Sequence, residues 1–285
     1  MKKFSILIPS RKRVALLKET LLSIETQTSD KNQIEIVFGI DIDDLDTKKF
    51  LKEYQNESNI AIVVKVMERG KGYQDAPNRL KSMISNSSGE YLIHFADDMK
   101  IYTKNWDIIL TEKIKTLPMD KIYLLYPAHN QINSNWPLVQ IISKRWFDFT
   151  SKFTNCIETD TELLIISILL NRSFKIENIK INHAQERDQT FEEGRKTMLT
   201  EKIQPNSIFE IKSFFAILMD FQILKECINK DNLNDKNISK NRGIKRFKFY
   251  FLNFFYLFYY IYIIKNKLNI NYIRYFFKNV RQKKI

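Results

Sequence analysis

Tyr91-Leu92-Ile93-His94-Phe95-Ala96-Asp97-Asp98 is an apolar run that ends in two carboxylates. Tyr91–Phe95 has the length and composition of a core strand. Just before it, Ser87-Ser88-Gly89 ends a helix read over Pro77 to Ile84, with Pro77 suited to the first turn. Working back along the chain, the same alternation recurs. Phe4–Ile8 reads as a strand ended by Pro9. Val14 to Ile24 reads as a helix with Leu17, Leu21 and Ile24 on one face. Ile34–Ile40 is a strand, Thr47–Asn56 a helix, Ile60–Met67 a strand and Gly70-Lys71-Gly72 a flexible turn. Strand and helix in turn predict an α/β fold with a mostly parallel, doubly wound sheet flanked by helices. Ligands bind such sheets at the carboxyl ends of the strands. Asp97-Asp98 and the cluster Asp41-Ile42-Asp43-Asp44 both stand there.

Composition bounds the rest. The chain has 285 residues, 44% of them hydrophobic, enough for one large core with an appendage. Six Gly and six Pro exclude collagen-like and Pro/Gly-rich disordered chains. The net charge of +13 comes from one end: thirteen of the 46 Lys and Arg, Lys236 to Lys284, lie in residues 236–285, which contain no Asp or Glu. The remaining 33 basic residues equal the 33 acidic ones, so the front of the chain is formally neutral. Cys156 and Cys227 have neither metal-site spacing nor a disulfide framework, which reads as a reduced, cytosolic setting. Phe4–Ile8 is too short for a signal-peptide core and reads as a buried first strand.

The acidic residues divide by chemistry. Asp97-Asp98 at a strand end can hold a divalent metal bound to a diphosphate, or be a solvated pair in a turn. Asp41 and Asp43 can accept hydrogen bonds from a base or ribose, or, with Asp44, cap the next helix. Glu158-Thr159-Asp160-Thr161-Glu162 precedes the apolar run Leu163–Leu170. Thr159 or Asp160 could cap a helix there, and Asp160 is also a candidate general base. His183 follows the strand-like Phe174–Ile181, and a neutral imidazole beside two carboxylates would complete a metal site. Asp188-Gln189-Thr190-Phe191 reads as a loop over that site.

Over about residues 3–195, the order of these pieces resembles family 2-like glycosyltransferases of the GT-A fold. Ile8-Pro9-Ser10-Arg11 looks like the family's first strand and donor loop, and Leu21-Leu22-Ser23-Ile24 like its first helix. Gly39 to Asp44 is similar to the strand end where the family's acid meets the nucleoside. Asn78-Arg79-Leu80 and Ser88-Gly89-Glu90-Tyr91 resemble the helix and turn before the metal motif. Asp97-Asp98 falls at the Asp-x-Asp motif, with Phe95 in place of its first acid. Ser143 to Phe147 resembles the acceptor-side segment. Asp160-Thr161-Glu162-Leu163 looks like the Glu-Asp motif that carries the base, with Thr159 where Glu is usual.

The resemblance implies a GT-A-like, Rossmann-type catalytic domain that takes a nucleoside diphosphate-sugar donor and a glycan or lipid-linked acceptor. It implies donor-nucleotide contacts from Pro9, Ser10, Arg11, Arg13, Asp41, Asp43, Asn78 and Asp97. The metal ligands would be Asp97, Asp98 and His183, holding Mn²⁺ or Mg²⁺, with Asp97 the firmer of the two acids. The base would be Asp160, with Glu158 and Glu162 as the other acids in reach. It further implies a single displacement with inversion, in building a surface glycan.

The expected organisation is a catalytic domain over 1–225, a polar linker over 226–243 and a helical basic aromatic region over 244–285. Phe249–Ile264 has no charge over sixteen residues, is rich in Tyr and is flanked by Lys and Arg. A membrane span needs about 20 apolar residues. The segment reads instead as interfacial, on the anionic inner face of the cell membrane, or as a helix packed on the core or on another subunit. Nucleic acid is not the expected partner, because Phe251-Leu252-Asn253-Phe254-Phe255 is more apolar than a solvated base-stacking surface. The other classes open to the chain are a sugar-nucleotide nucleotidyltransferase, which usually begins with a Gly-rich loop that Ser10-Arg11-Lys12-Arg13 lacks, and a non-catalytic membrane- or RNA-binding protein on a degenerate transferase fold.

Overall fold

The computed structural model describes residues 2–69, 75–130, 136–184 and 211–231. Strands β1 (Phe4–Ser10), β2 (Ile34–Asp41), β3 (Ala61–Met67) and β4 (Tyr91–His94) alternate with helices α1 (Val14–Gln27), α2 (Leu45–Glu57) and α3 (Ala76–Ile84). Then come β5 (Met99–Ile101), α4 (Trp106–Lys115), β6 (Leu124–His129), β7 (Gln140–Ser143), α5 (Lys144–Thr150), α6 (Thr159–Leu169), β8 (Ser173–His183) and α7 (Ile211–Asp231). The eight strands form one sheet in the order β3-β2-β1-β4-β7-β6-β8-β5. Four ladders are parallel: β1–β2, β1–β4, β2–β3 and β6–β8. Three are antiparallel: β4–β7, β5–β8 and β6–β7.

The front half has the 3-2-1-4 order of a nucleotide-binding sheet. Its strand order reverses at β1, which leaves a crevice between the carboxyl ends of β1 and β4. All eight residues of β2 are buried, as a parallel strand with both faces covered requires. Phe4, Ile6, Ile8, Phe38 and Ile40 pack with Leu17, Leu21 and Ile24 of α1 and with Tyr91 and Ile93 of β4. Each such side chain, fully removed from water, contributes about 1.5–3 kcal/mol.

Pro9 does not end the first strand; β1 continues to Ser10. The β1–β4 ladder stops at Leu7–His94, so Pro9 lies on a local edge where its missing N–H breaks no ladder bond. That extension carries Ser10 into the crevice. The turn before β4 is fixed by a buried carboxylate. Glu35 accepts from Ser5 Oγ (2.5 Å), Ser88 N (2.5 Å), Ser88 Oγ (2.8 Å) and Gly89 N (3.2 Å). Those four donors make a buried charge tolerable. Gly89 is required there, because a Cβ would stand 2.6 Å from Ser5 N and 2.8 Å from Phe4 C. Gly39 plays the matching part on β2. Met83 of α3 lies over it, where a Cβ would come 2.6 Å from Met83 Sδ, so α3 sits close on the sheet.

The chain divides into two compact units, Met1–Ile228 and Asn229–Ile285. The elements above belong to the first, with α7 running past its limit to Asp231. Residues 226–231, expected to be linker, are helical. The Gly70-Lys71-Gly72 turn, the Asp188–Phe191 loop, the rest of the linker and the basic aromatic region over 244–285 lie outside the described residues. Among the described residues, no helix is long and apolar enough to cross a membrane.

Candidate active site

The carboxyl ends of β1, β2 and β4 bring three loops together, and their charged side chains interlock. Ser10 Oγ donates to Asp97 Oδ2 at 2.7 Å. Arg13 forks across the acid pair, with Nη1 2.6 Å from Asp97 Oδ1 and Nη2 3.0 Å from Asp98 Oδ2. Arg11 bridges Asp41 Oδ2 (2.7 Å) and both oxygens of Asp43 (2.6 and 3.0 Å). Arg79 of α3 pairs with the other oxygen of Asp41. Three guanidiniums thus face four carboxylates.

The loop that presents the arginines is shaped by Asp44. Lys12 has φ 54°, a left-handed conformation that costs a non-glycine residue about 1–2 kcal/mol. The buried Asp44 carboxylate accepts from Lys12 N at 2.6 Å and from Thr47 N at 3.2 Å. One acid therefore holds the strained loop and caps α2. Thr20 Oγ1 of α1 donates to Asp97 O at 2.9 Å and fixes the backbone beyond β4.

The two neighbouring acids differ. Burial pushes the Asp97 carboxyl up to about 6, against the pull of Arg13 and Ser10. Burial acts on Asp98 as well, yet His183 and Arg13 outweigh it and hold that carboxyl below the usual range. His183 reaches Asp98 through strand pairing. The antiparallel β5–β8 ladder sets Met99 opposite His183, and Ala184 N donates to Asp98 O at 3.1 Å. His183 Nε2 then lies 3.1 Å from Asp98 Oδ1, a buried oxygen with no aligned hydrogen-bond donor. That separation suits two ligands of one cation; the carboxylate oxygen suits Mn²⁺ or Mg²⁺, and the imidazole nitrogen favours a transition metal over Mg²⁺. Both Asp97 oxygens are taken by Ser10 and Arg13. Among the described residues, no group of three or more His, Cys, Asp or Glu side chains could hold a metal ion. The donor set fits a cation shared with a diphosphate rather than one held by protein alone.

Neither Thr159 nor Asp160 is the cap of α6. The helix starts at Thr159, with Glu158 in the cap position and making no side-chain capping bond. Asp160 Oδ1 accepts from Thr161 N (2.7 Å) and Thr161 Oγ1 (3.2 Å), and Oδ2 accepts from Trp136 Nε1 (2.5 Å). The Asp160 carboxylate also acts electrostatically on the half-buried His94, the last residue of β4. Glu162 is set apart. It is 1% exposed and accepts from Asn155 N (2.7 Å), Asn155 Nδ2 (2.5 Å) and Cys156 N (2.7 Å). Burial raises its carboxyl to about 7. Asn155 Nδ2 also donates to Asp220 of α7 (2.7 Å), so Glu162 and Asn155 tie α6 to α7.

Of the residues expected at the donor, Ser10, Arg11, Arg13, Asp41, Asp43 and Asp97 meet at the crevice. Pro9 can offer only its backbone carbonyl. Asn78 stands about 100° round α3 from Arg79, and Arg79 is the residue that reaches Asp41. Arg79 and Trp136 were not singled out from the sequence. The signal for Arg79 was a lone arginine in the first turns of a helix after a strand, and Trp136 had none.

No sequence among curated proteins matches the chain. Among solved structures, the mannosyltransferase PcManGT from Pyrobaculum calidifontis, in complex with GDP-Man and Mn²⁺, superposes with a TM-score of 0.55 at 10% identity. The match covers 82% of this chain and 76% of that one. TarS 1-349 from S. aureus, in complex with UDP-GlcNAc, gives 0.51 at 16% identity over 80% and 72%. At these identities the likeness is one of fold, and both are GT-A structures. Residues 5–220 match the model of glycosyl transferase family 2, and the chain belongs to that family of sugar-transferring enzymes.

Proposed function

We propose that this chain transfers a sugar from a nucleoside diphosphate-sugar to a hydroxyl of a glycan or lipid-linked acceptor, with inversion, in building a surface glycan. One observation carries the reading: Arg11, Arg13, Asp41, Asp97 and Asp98 converge at the strand ends. The neighbours' complexes with GDP-Man and UDP-GlcNAc support a donor of this class.

Asp41, gripped by Arg11 and Arg79, accepts hydrogen bonds from the nucleoside. Arg11 and Arg13, now paired with carboxylates, turn toward the incoming diphosphate and counter its charge. Asp98 and His183 would hold a divalent cation together with diphosphate oxygens. When bound, that cation counters the charge developing on the leaving group. Asp160 takes the proton of the acceptor hydroxyl as its oxygen bonds to the anomeric carbon and the bond to the diphosphate breaks. Trp136 and Thr161 fix the carboxylate, and Oδ2, which accepts from Trp136, keeps a lone pair for that proton.

A thermal-shift screen of nucleoside diphosphates and nucleotide sugars, with and without Mn²⁺, tests the donor class. A ligand at 100 times its Kd adds about 2.7 kcal/mol to native stability. At least one nucleotide is expected to raise the melting temperature, more so with Mn²⁺. No stabilisation by any of them removes the reading.

The basic aromatic region of 244–285 serves, in this reading, to hold the enzyme on the anionic inner face of the cell membrane, where lipid-linked acceptors lie. Co-sedimentation with anionic liposomes is expected for the full chain and lost for residues 1–240. Retention on single-stranded RNA with no liposome binding would assign the region to nucleic acid instead.

A further inference from the structure

Trp136, which grips Asp160 Oδ2, lies in the connection between β6 and β7 and belongs to neither strand. Its indole can only donate, and a 2.5 Å bond to a carboxylate is of the charge-assisted kind. Such a bond orients Asp160 only as well as Trp136 itself is held. Two side chains from the flanking strands hold it. His129 is the last residue of β6 and Gln140 the first of β7. His129 Nε2 stands 2.6 Å from Trp136 O. A carbonyl only accepts, so Nε2 carries the proton and donates. Leu138 N donates to the same oxygen at 3.0 Å, which uses both of its lone pairs. Gln140, 2% exposed, donates from Nε2 to Pro137 O (2.6 Å) and Leu138 O (2.8 Å).

The Gln140 amide is fixed in turn. Both of its N–H groups go to those carbonyls, so Oε1 is the acceptor, and His94 Nδ1 donates to it at 2.7 Å. His94 and Gln140 stand directly opposite each other in the β4–β7 ladder, and His129 stands opposite Ile181 in the β6–β8 ladder. The register of the sheet therefore sets both anchors, and rigid elements aim a side chain more precisely than a loop does. Burial holds both imidazoles below the usual histidine range, against the pull of the bonds to Gln140 and Trp136. Each ring is thus neutral and keeps its one proton on the bonded nitrogen. A path of polar groups in which each bond fixes the next selects one arrangement.

We infer that His129 and Gln140 are positioning residues for the transfer reaction: through the backbone of Trp136 to Leu138 they aim the Trp136 indole, and so set the Asp160 carboxylate for the acceptor hydroxyl. The inference rests on the sugar-transfer reading, which supplies the role of Asp160 as base.

Proton–nitrogen correlation spectra of the full chain, with ¹⁵N-labelled tryptophan, test the path without a substrate. The three tryptophans give three indole signals, and that of Trp136 is the one lost in Trp136→Phe. Asp160→Ala marks where this signal falls once the bond to the carboxylate is gone. His129→Leu and Gln140→Met should each move it toward that position, with the signal of Trp106, whose indole donates to Thr28 Oγ1, left in place. His129→Gln keeps a donor near the Nε2 position and should leave the Trp136 signal close to that of the parent. In release of UDP from UDP-GlcNAc or of GDP from GDP-Man, with water as acceptor, His129→Leu should lower kcat about two- to tenfold, the equivalent of one neutral hydrogen bond. The KM for the nucleotide sugar should stay unchanged. In a Trp136→Phe background the same substitution should add little, because the path is already cut. A Trp136 signal unmoved by both His129→Leu and Gln140→Met overturns the inference, as do losses that multiply in the double variant. Movement of the Trp106 signal as well overturns it too, because the two residues would then serve the fold at large. If the signals shift as expected and Asp160→Asn turns over like the parent, the base assignment of the sugar-transfer reading fails, and with it the catalytic meaning of a path that still holds the carboxylate.

Discussion

Replacing Asp160 by Asn is expected to lower turnover by about 10²–10⁴-fold and to leave nucleotide affinity unchanged. Asn has nearly the same shape and cannot take a proton from the acceptor. The amide oxygen can keep either Trp136 Nε1 or the two donors of Thr161 among the three that now grip the carboxylate. The start of α6 therefore stays in place, and the loss is one of chemistry. Nucleoside diphosphate release under saturating donor and acceptor measures turnover, and titration calorimetry with the nucleotide measures affinity. Trp136→Phe in the same assay separates position from chemistry. It removes a hydrogen bond to a charged group, about 1.5–3 kcal/mol, and leaves the carboxylate, so a partial loss is expected. An Asn variant that turns over like the parent would remove Asp160 as the base. Glu158 would then be the acid left at the helix start, because both oxygens of Glu162 are held by Asn155 and Cys156.

The effect of Asp160 depends on a proximity that no stretch of sequence displays. The front of the sheet was legible because each strand is a short apolar run bounded by turn residues, and each helix shows one apolar face. The back was not. Leu124–His129 carries Pro127, which argues against a strand, yet it pairs with β7 and β8 and meets a bulge just past that proline. Helix α6 is buried from Thr161 to Ser167, so it shows no polar stripe, and nothing marks Glu162 as a core residue. The acids at the strand ends stand out in the sequence, since carboxylates at strand ends are a local pattern. Their partners were less visible. Arg13 meets Asp97 across 84 positions and Arg79 meets Asp41 across 38, and such pairs appear only once the strands are ordered.

The same distinction decides what each of the two adjacent acids does, and substitutions should separate them. The motif order made Asp97 the firmer metal ligand. The geometry favours Asp98, which has a buried oxygen 3.1 Å from His183 Nε2, while both oxygens of Asp97 are taken by Ser10 and Arg13. Asp98→Asn is therefore expected to abolish the extra Mn²⁺-dependent rise in melting temperature expected with nucleotide. It should also cost several kcal/mol of transition-state stabilisation, about 10²–10³-fold in turnover, and lower the ligand-free melting temperature, because Asp98 also pairs with Arg13 and His183. Asp97→Asn should instead keep the Mn²⁺ response. It removes one of the two carboxylate partners of Arg13 and leaves the other, so the ligand-free protein should melt at a modestly lower temperature while Mn²⁺ still stabilises what remains folded. Melting curves of both variants with nucleotide, Mn²⁺, both or neither give four readings each. If Asp97→Asn loses the Mn²⁺ response and Asp98→Asn keeps it, the ligand is Asp97, and the Arg13 fork must open on that side when the donor arrives. If both lose it, the pair acts as one site, and Arg13 holds the place that a cation takes when the diphosphate enters.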